Sequence, residues 1–264
     1  MTLLDKLLVE KQVGHKGGIY NKLQVDFAYN SNHIEGSRLT HEQTMYIYET
    51  HSVGVGIKGT EDIIRVNDII ETANHFRCFD YILDTVNEPL TEDYIKHLHK
   101  LLKNGVMDSS AIIGEYKREP NEVGYITTTA PEQVSQEIKK LISDYNCTLG
   151  LYGIAAFHAR FEKIHPFYDG NGRTGRLIMF KQCLQNDILP YFISDDDKTF
   201  YYMGLKEWQN DNADERLINV FLAAQDNMEN ILNYFQIDYN RAETTYSEVI
   251  KQADYDETGG ITSP

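Results

Sequence analysis

His165, Asp169, Arg173 and Arg176 fall within twelve residues, His-Pro-Phe-Tyr-Asp-Gly-Asn-Gly-Arg-Thr-Gly-Arg, from 165 to 176. Each type does a different job beside an anion. A histidine has an unperturbed pKa near 6.5, so His165 can accept a proton at neutral pH. Asp169 supplies an oxygen ligand for a hard cation such as Mg2+. Gly170 and Gly172 let backbone N–H groups close on an anion, with the Asn171 side chain between them. Arg173 and Arg176 are three apart and project from one face of a helix. Such a pair suits a polyphosphate better than a single carboxylate.

Two helices must hold this loop. Before it, Leu151, Ile154, Ala155, Phe157, His158 and Phe161 recur near helical spacing up to Ile164. After it, Leu177, Ile178, Phe180 and Leu184 can face a core. The second helix starts at the glycine-rich turn, where its dipole also favours negative charge.

The twelve residues resemble the signature of Fic-domain proteins, His-Pro-Phe-x-Asp/Glu-Gly-Asn-Gly-Arg-x-x-Arg, at every fixed position. A bare Asp-Gly-Asn-Gly turn between structural helices would account for the glycines but not for the histidine and two arginines. The resemblance implies a protein adenylyltransferase that moves AMP from ATP to a Ser, Thr or Tyr hydroxyl of a target protein, possibly of the chain itself. It implies His165 as the base, Asp169 as the ligand of Mg2+ (or Mn2+), and Gly170, Asn171 and Gly172 around the α-phosphate. Arg173 would then bind the β-phosphate and Arg176 the γ-phosphate, with Phe167 anchoring the loop. The alternatives are another nucleotide or phosphate-containing donor on the same scaffold, removal of AMP assisted by Glu35, and a non-catalytic nucleotide-sensing module. Gly172 stands where the phosphate-transferring branch usually has lysine, which favours AMP.

Upstream, Ser31-Asn32-His33-Ile34-Glu35-Gly36 places Ser31 and Glu35 four apart on one helical face, with Gly36 as the stop. It resembles the family's inhibitory motif, Ser/Thr-x-x-x-Glu-Gly/Asn. Its place ahead of the core resembles class II, which has an N-terminal inhibitory helix. The resemblance implies that Glu35 bridges to Arg176 and blocks the γ-phosphate, with Ser31 steadying the helix. Between Gly114 and Pro131, Val123, Gly124, Tyr125, Ile126, Thr127 and Thr128 read as a short hairpin. The family has at this point a β-hairpin flap that aligns the target segment by main-chain pairing. Tyr201 and Tyr202 are candidates for the purine pocket, with Gln209 or Asn210 for a base edge. His97 and His99, at i and i+2, point apart on a helix and do not make a metal pair. Asp195-Asp196-Asp197 lacks the spacing of a calcium loop and reads as a cap before the next helix.

Across its 264 residues the chain is 41% hydrophobic and 25% charged, ordinary for a soluble globule, with net charge −15. That charge argues against a nucleic-acid surface, which needs clustered basic residues. It does not argue against ATP, because local arginines and a metal dominate the field in a cleft. No Gly-x-x-x-x-Gly-Lys-Ser/Thr occurs, so a P-loop is absent. No apolar run reaches a membrane span and no signal peptide opens the sequence, so the expected location is cytoplasmic, with no membrane partner. Cys78, Cys147 and Cys183 are odd in number and read as reduced thiols. The oligomeric state is left open.

The expected fold is all-α with a small β-hairpin flap, forming one compact unit over 1–264. Its Fic core would span about 92–190, its inhibitory segment about 22–50, and a frayed polar tail 236–264. Helices are predicted over Glu61 to Leu83, with a wide apolar stripe, over Tyr94 to Leu102, from Pro131 to Tyr145, over Lys198 to Gln209 and over Leu217 to Phe235.

Overall fold

The computed structural model describes residues 2–52, 64–107, 112–123, 126–145 and 149–257. It is mainly helical. Helices α1 (Leu3–Val13), α2 (Ile19–Ile34), α3 (His41–Thr50), α4 (Val66–Asp84) and α5 (Glu92–Lys103) come first. After two short strands follow α6 (Val134–Asp144), α7 (Leu151–Ile164), α8 (Asn171–Gln185), α9 (Lys198–Asp211), α10 (Glu215–Tyr234) and α11 (Tyr246–Glu257).

Local chemistry sets the boundaries. Thr2 and Thr40 form capping boxes with Asp5 and Gln43, each satisfying N–H groups that a first turn leaves open. The expected helix from Glu61 is described from Val66. Ahead of α9, Ser194 rather than the aspartates provides the cap, accepting from the Asp196 N–H at 3.3 Å.

Strands β1 (Glu122–Val123) and β2 (Ile126–Thr127) pair antiparallel, with Val123 opposite Ile126. Gly124 and Tyr125, between them, lie outside the described residues, as does Cys147. Cys78 and Cys183 are buried free thiols. Among the described residues no helix is long and apolar enough to cross a membrane.

Two apolar clusters support the site. One gathers Phe27, Phe79, Leu98, Phe161, Phe167 and Phe180 from α2, α4, α5, α7, α8 and the loop before α8. The other gathers Ile154, Met179, Tyr191, Leu205 and Phe221 around α7, α8, α9 and α10. Helices α7 and α8 contribute to both, so the loop joining them is braced on each side. Lys181 on α8 is fully buried and donates to the carbonyls of Thr85, Val86 and Glu88, at 2.7 to 2.9 Å, at the end of α4. Helix carbonyls left open at a C-terminus need such donors.

Of the stretch read as a frayed tail, 236–264, residues up to 257 are described, and α11 within it packs on the core. Val249 of α11 is 1% exposed in the second cluster, and Tyr246 Oη donates to Asp214 at 2.8 Å. Ile237 and Tyr239 pack on the first cluster as Val249 and Tyr246 do on the second, apolar contacts scattered too sparsely among polar residues to stand out in composition.

Helices α9 and α10 approach closely at Gly204, where an added Cβ would stand 2.8 Å from the Leu217 nitrogen and 2.9 Å from its Cα. Backbone cannot yield there. Gly204→Ala is expected to lower stability by about 1–3 kcal/mol in urea unfolding, as overpacking does. An unchanged midpoint would mean that the two helices have slack.

Candidate active site

Helix α7 ends at His165, the residue before Pro166, where the right-handed helical conformation is disfavoured. His165 adopts φ 50° and ψ 63°, the left-handed region, and its N–H still reaches the Phe161 carbonyl. Asn171 then closes the loop. Its Oδ1 accepts from the Phe167 N–H and its Nδ2 donates to the Phe167 carbonyl, both at 2.8 Å. Gly170, at φ 79°, caps α8 in a conformation that glycine adopts without strain. Phe167 is fully buried and stacks on His99, centroids 3.8 Å apart. The loop backbone thus wraps the N-terminus of α8, an anion cradle by geometry.

Burial first, and then the Lys117 ammonium, push the His165 imidazole down to about 4. The ring is therefore neutral at pH 7 and can take up a proton.

An ion network lies behind the cradle. Arg173, 4% exposed, pairs with Glu71 on α4 at 2.5 Å and with Asp169 at 3.6 Å. Lys103 on α5, also buried, pairs with Glu71 at 2.5 Å and with the same Asp169 oxygen. Burial opposes ionisation of Asp169, but Arg173 and the Lys103 hydrogen bond outweigh it and hold the carboxyl below its usual range. His99 accepts from the Gly114 N–H on Nδ1 and so presents Nε2–H to the Asp169 carbonyl, at 3.0 Å. Its role is to hold the loop, not to bind a metal. Among the described residues no group of three or more His, Cys, Asp or Glu side chains is placed to hold a metal ion.

Arg176 is the largest fully buried side chain among the described residues. Its Nε donates to Ser31 Oγ at 3.1 Å, and NH2 donates to the Ser31 carbonyl and to Glu35 Oε1, each at 2.8 Å. Glu35 ends α2 as its cap. Burial opposes its charge, but Arg176 and then Arg173 keep it ionised, below the ordinary carboxylate value. A Cβ on Gly172 would collide with the Glu35 carboxylate. Glu35 therefore lies over the first turn of α8, where an anion would bind.

The two candidate tyrosines separate, because neighbours on a helix point about 100° apart. Tyr201 is 1% exposed, hydrogen-bonded to His158 at 2.7 Å, with the Arg176 guanidinium 5.9 Å from its ring centre. It is a core residue, not an open stacking surface. Tyr202 is 39% exposed, and its hydroxyl reaches the Ile34 carbonyl at 3.4 Å. Gln209 donates to the Ala159 carbonyl at 3.1 Å, while Asn210 faces solvent. Thr128 is buried just beyond β2.

Sequence reasoning missed Glu71, Lys103, Lys117 and Glu162. The first three meet the loop across more than 30 residues of chain, with no local signature. Glu162 sits on α7 one turn before His165. Its Oε1 is buried without a hydrogen-bond partner among the described residues, and a side chain on Gly175 would abut it. Burial raises the Glu162 carboxyl to about 8, Arg176 pulling it down and Glu35 pushing it up.

Residues 89–183 match the Fic/DOC family. They form a Fic domain. The chain is 26% identical over 211 residues to the protein adenylyltransferase Fic of Nematostella vectensis, covering 74% of this chain and 48% of that one. It is 28% identical over 189 residues to the protein adenylyltransferase Fic of Drosophila melanogaster, covering 67% and 36%. The matches thus span half or less of these curated relatives. A Fic-domain-containing signalling protein of Bacteroides thetaiotaomicron superposes with TM-score 0.73 at 22% identity, over 92% of this chain and 100% of that one. Residues 134–508 of the Caenorhabditis elegans Fic-1 protein superpose with TM-score 0.66 at 20% identity, over 89% and 70%. These likenesses show that the fold extends beyond the Fic domain into the helices that carry Ser31 and Glu35.

Glu162 gives this Fic domain a pH signature. A carboxyl with a raised folded pKa stabilises the fold fully below its unfolded value, near 4.5, and that stability is lost as pH rises towards about 8. Wild type is expected to lose unfolding free energy between pH 5 and 8 relative to Glu162→Gln, as measured in urea. Parallel curves would show Glu162 to be ionised throughout.

Proposed function

We propose that this chain is a protein adenylyltransferase that moves AMP from ATP to a Ser, Thr or Tyr hydroxyl of a target protein, and that Glu35 holds it off. The observation that carries this reading is the neutral His165 beside the glycine-rich N-terminus of α8, where Glu35 and Arg176 already pair as anion and receptor. The names of its relatives support the same activity.

The target hydroxyl oxygen attacks the α-phosphorus while its proton passes to His165. The bond from the α-phosphorus to the bridging oxygen breaks, and pyrophosphate leaves. Backbone N–H groups at 170–172 and the Asn171 region receive the α-phosphate, Arg173 the β-phosphate and Arg176 the γ-phosphate. Arg173 is held beside the cradle by Glu71 and Asp169 before ATP arrives, whereas Arg176 must exchange Glu35 for the phosphate. Tyr202 and the side chains near Ile34 are the open candidates for the base. The paired backbone of Val123 and Ile126 would align an extended target segment by main-chain hydrogen bonds.

A divalent ion fits this donor set. Asp169 is ionised and its side chain is 46% exposed, and a hard cation accepts one carboxylate together with phosphate oxygens. Mg2+, or Mn2+ in its place, would be held by Asp169 and would neutralise phosphate charge. Asp169→Ala is expected to abolish most transfer and to flatten the response of the residual rate to Mg2+. A variant that still responds as wild type does would assign the metal elsewhere.

Glu35 lies over Gly172 and occupies Arg176, so ATP entering beside it would be misaligned. Misplacement of a reacting centre can cost about 100-fold in rate. Glu35→Gly is expected to raise AMP transfer by about that factor, and Ser31→Ala by less. Intact-mass analysis with ATP and Mg2+ reads both. Adding His165→Ala should cancel the gain, since loss of a general base costs about 100- to 10,000-fold. If Glu35→Gly is no faster than wild type, the inhibitory reading fails. Because Glu35 is held ionised inside the site, it could also orient a water that removes AMP. Pre-modified target would then lose AMP faster with wild type than with Glu35→Gly.

A further inference from the structure

The backbone around His165 is unusual in what holds it. A non-glycine residue at φ 50° persists only where its surroundings fix it. Three carbonyls flank the residue, and each is bound by the segment that leads into β1. The Lys117 N–H donates to the Pro166 carbonyl at 2.8 Å. The Lys117 Nζ donates to the Ile164 carbonyl at 3.2 Å. Asn121 Nδ2 donates to the Phe167 carbonyl at 3.0 Å.

Lys117 is also the hub of the strand segment. Its ammonium, 2% exposed, donates to Asn121 Oδ1 at 2.7 Å and to Thr128 Oγ1 at 2.6 Å. Thr128 in turn donates to the Asn121 carbonyl at 2.8 Å. Residues 121 and 128 bracket β1 and β2. One buried amine therefore ties both arms of that segment to the residue just before His165, and its own backbone ties them to the residue just after.

We propose that Lys117 is a positioning residue, which fixes the backbone of His165 and joins it rigidly to the segment that carries β1 and β2. The inference rests on the reading of His165 as the base. Base and target segment then keep one spacing, which in-line attack requires. The amine has three acceptors and, among the described residues, no carboxylate partner, and burial lowers the Lys117 pKa to about 8. Its charge faces His165, as do Glu35 from the end of α2, Asp169 from the loop and the Glu162 carbonyl from α7. Lys117 is the cation among them, and it helps keep the imidazole neutral.

The test uses the full chain with and without nucleotide. In Lys117→Met without ATP, the His165 imidazole, followed by NMR, is expected to titrate distinctly above its wild-type position near 4. In the Glu35→Gly background, Lys117→Met is expected to lower kcat about tenfold or more and to raise KM for the target, with KM for ATP little changed. Lys117→Arg keeps a charge but puts a larger planar guanidinium where three acceptors converge on one nitrogen, so those bonds must be rearranged. It should therefore lower kcat while leaving the His165 titration in place, and it carries the test if Lys117→Met does not fold. An unshifted titration in a folded Lys117→Met, or an unaltered kcat in Lys117→Arg, would overturn the proposal. If the Glu35→Gly protein transfers no AMP, the functional reading fails, and the titration still decides whether Lys117 governs His165.

Discussion

A guanidinium buried to 1% exposure cannot be left alone, and the structure around Arg176 follows from that constraint. Its Nε and NH2 are taken by Ser31 and Glu35, both at the end of α2. To reach them, α2 must lie across the first turn of α8, which fixes the N-terminal helices on the Fic domain. The same arginine is the natural receptor for a phosphate on that turn. One charge thus serves folding and ligand recognition, and whatever anion is present competes for it. Removing one partner of a buried pair typically costs roughly 3–5 kcal/mol, although Glu35, being part-exposed, lies below that range.

The neighbouring charges are paired with one another, although Arg173 Nε has no hydrogen-bond partner among the described residues. Glu71 receives both Lys103 and Arg173, and Asp169 receives the same two. Arg173 is thereby held at the cradle in advance, and Asp169 stays ionised. His99 and Lys117 do for the loop backbone what these acids do for its cations. Both are buried: His99 meets the Asp169 carbonyl and the Gly114 N–H, and Lys117 meets the Ile164 carbonyl together with the Asn121 and Thr128 side chains. A loop of this kind has little hydrophobic surface of its own beyond Phe167. Its shape comes from hydrogen bonds supplied by α5 and by the segment before β1.

Burial also sorts the protonation states. His165 and His99 are both pushed down to about 4, and Glu162 is raised to about 8. At neutral pH the histidines are unprotonated and Glu162 carries its proton, while Glu35 and Asp169 keep their charge because arginines face them. The site therefore contains an acceptor for a proton and two carboxylates for cations without accumulating repulsion between like charges.

Much of this was written in local order. The loop residues 165–176 are contiguous, so the glycine-rich start of α8 and the two arginines on one face follow from short-range geometry. Ser31 and Glu35 four apart announce a shared face in the same way, and helical periodicity placed most helices within a few residues. Tertiary structure alone decided which face met which. No pattern marks Lys117 or Glu71 as partners of the loop, because a buried lysine and a part-buried glutamate look in sequence like members of a solvated face. Tyr201 and Tyr202 are adjacent in sequence, yet one is core and the other surface, since helix α9 can turn only one of them inward. The segment after α10 is the converse case: a polar stretch docked by scattered contacts of Ile237, Tyr239, Tyr246 and Val249. Periodicity tells which side of a helix is apolar, but the partner of a buried charge is chosen by packing across the chain, and there the sequence carries no separate signal.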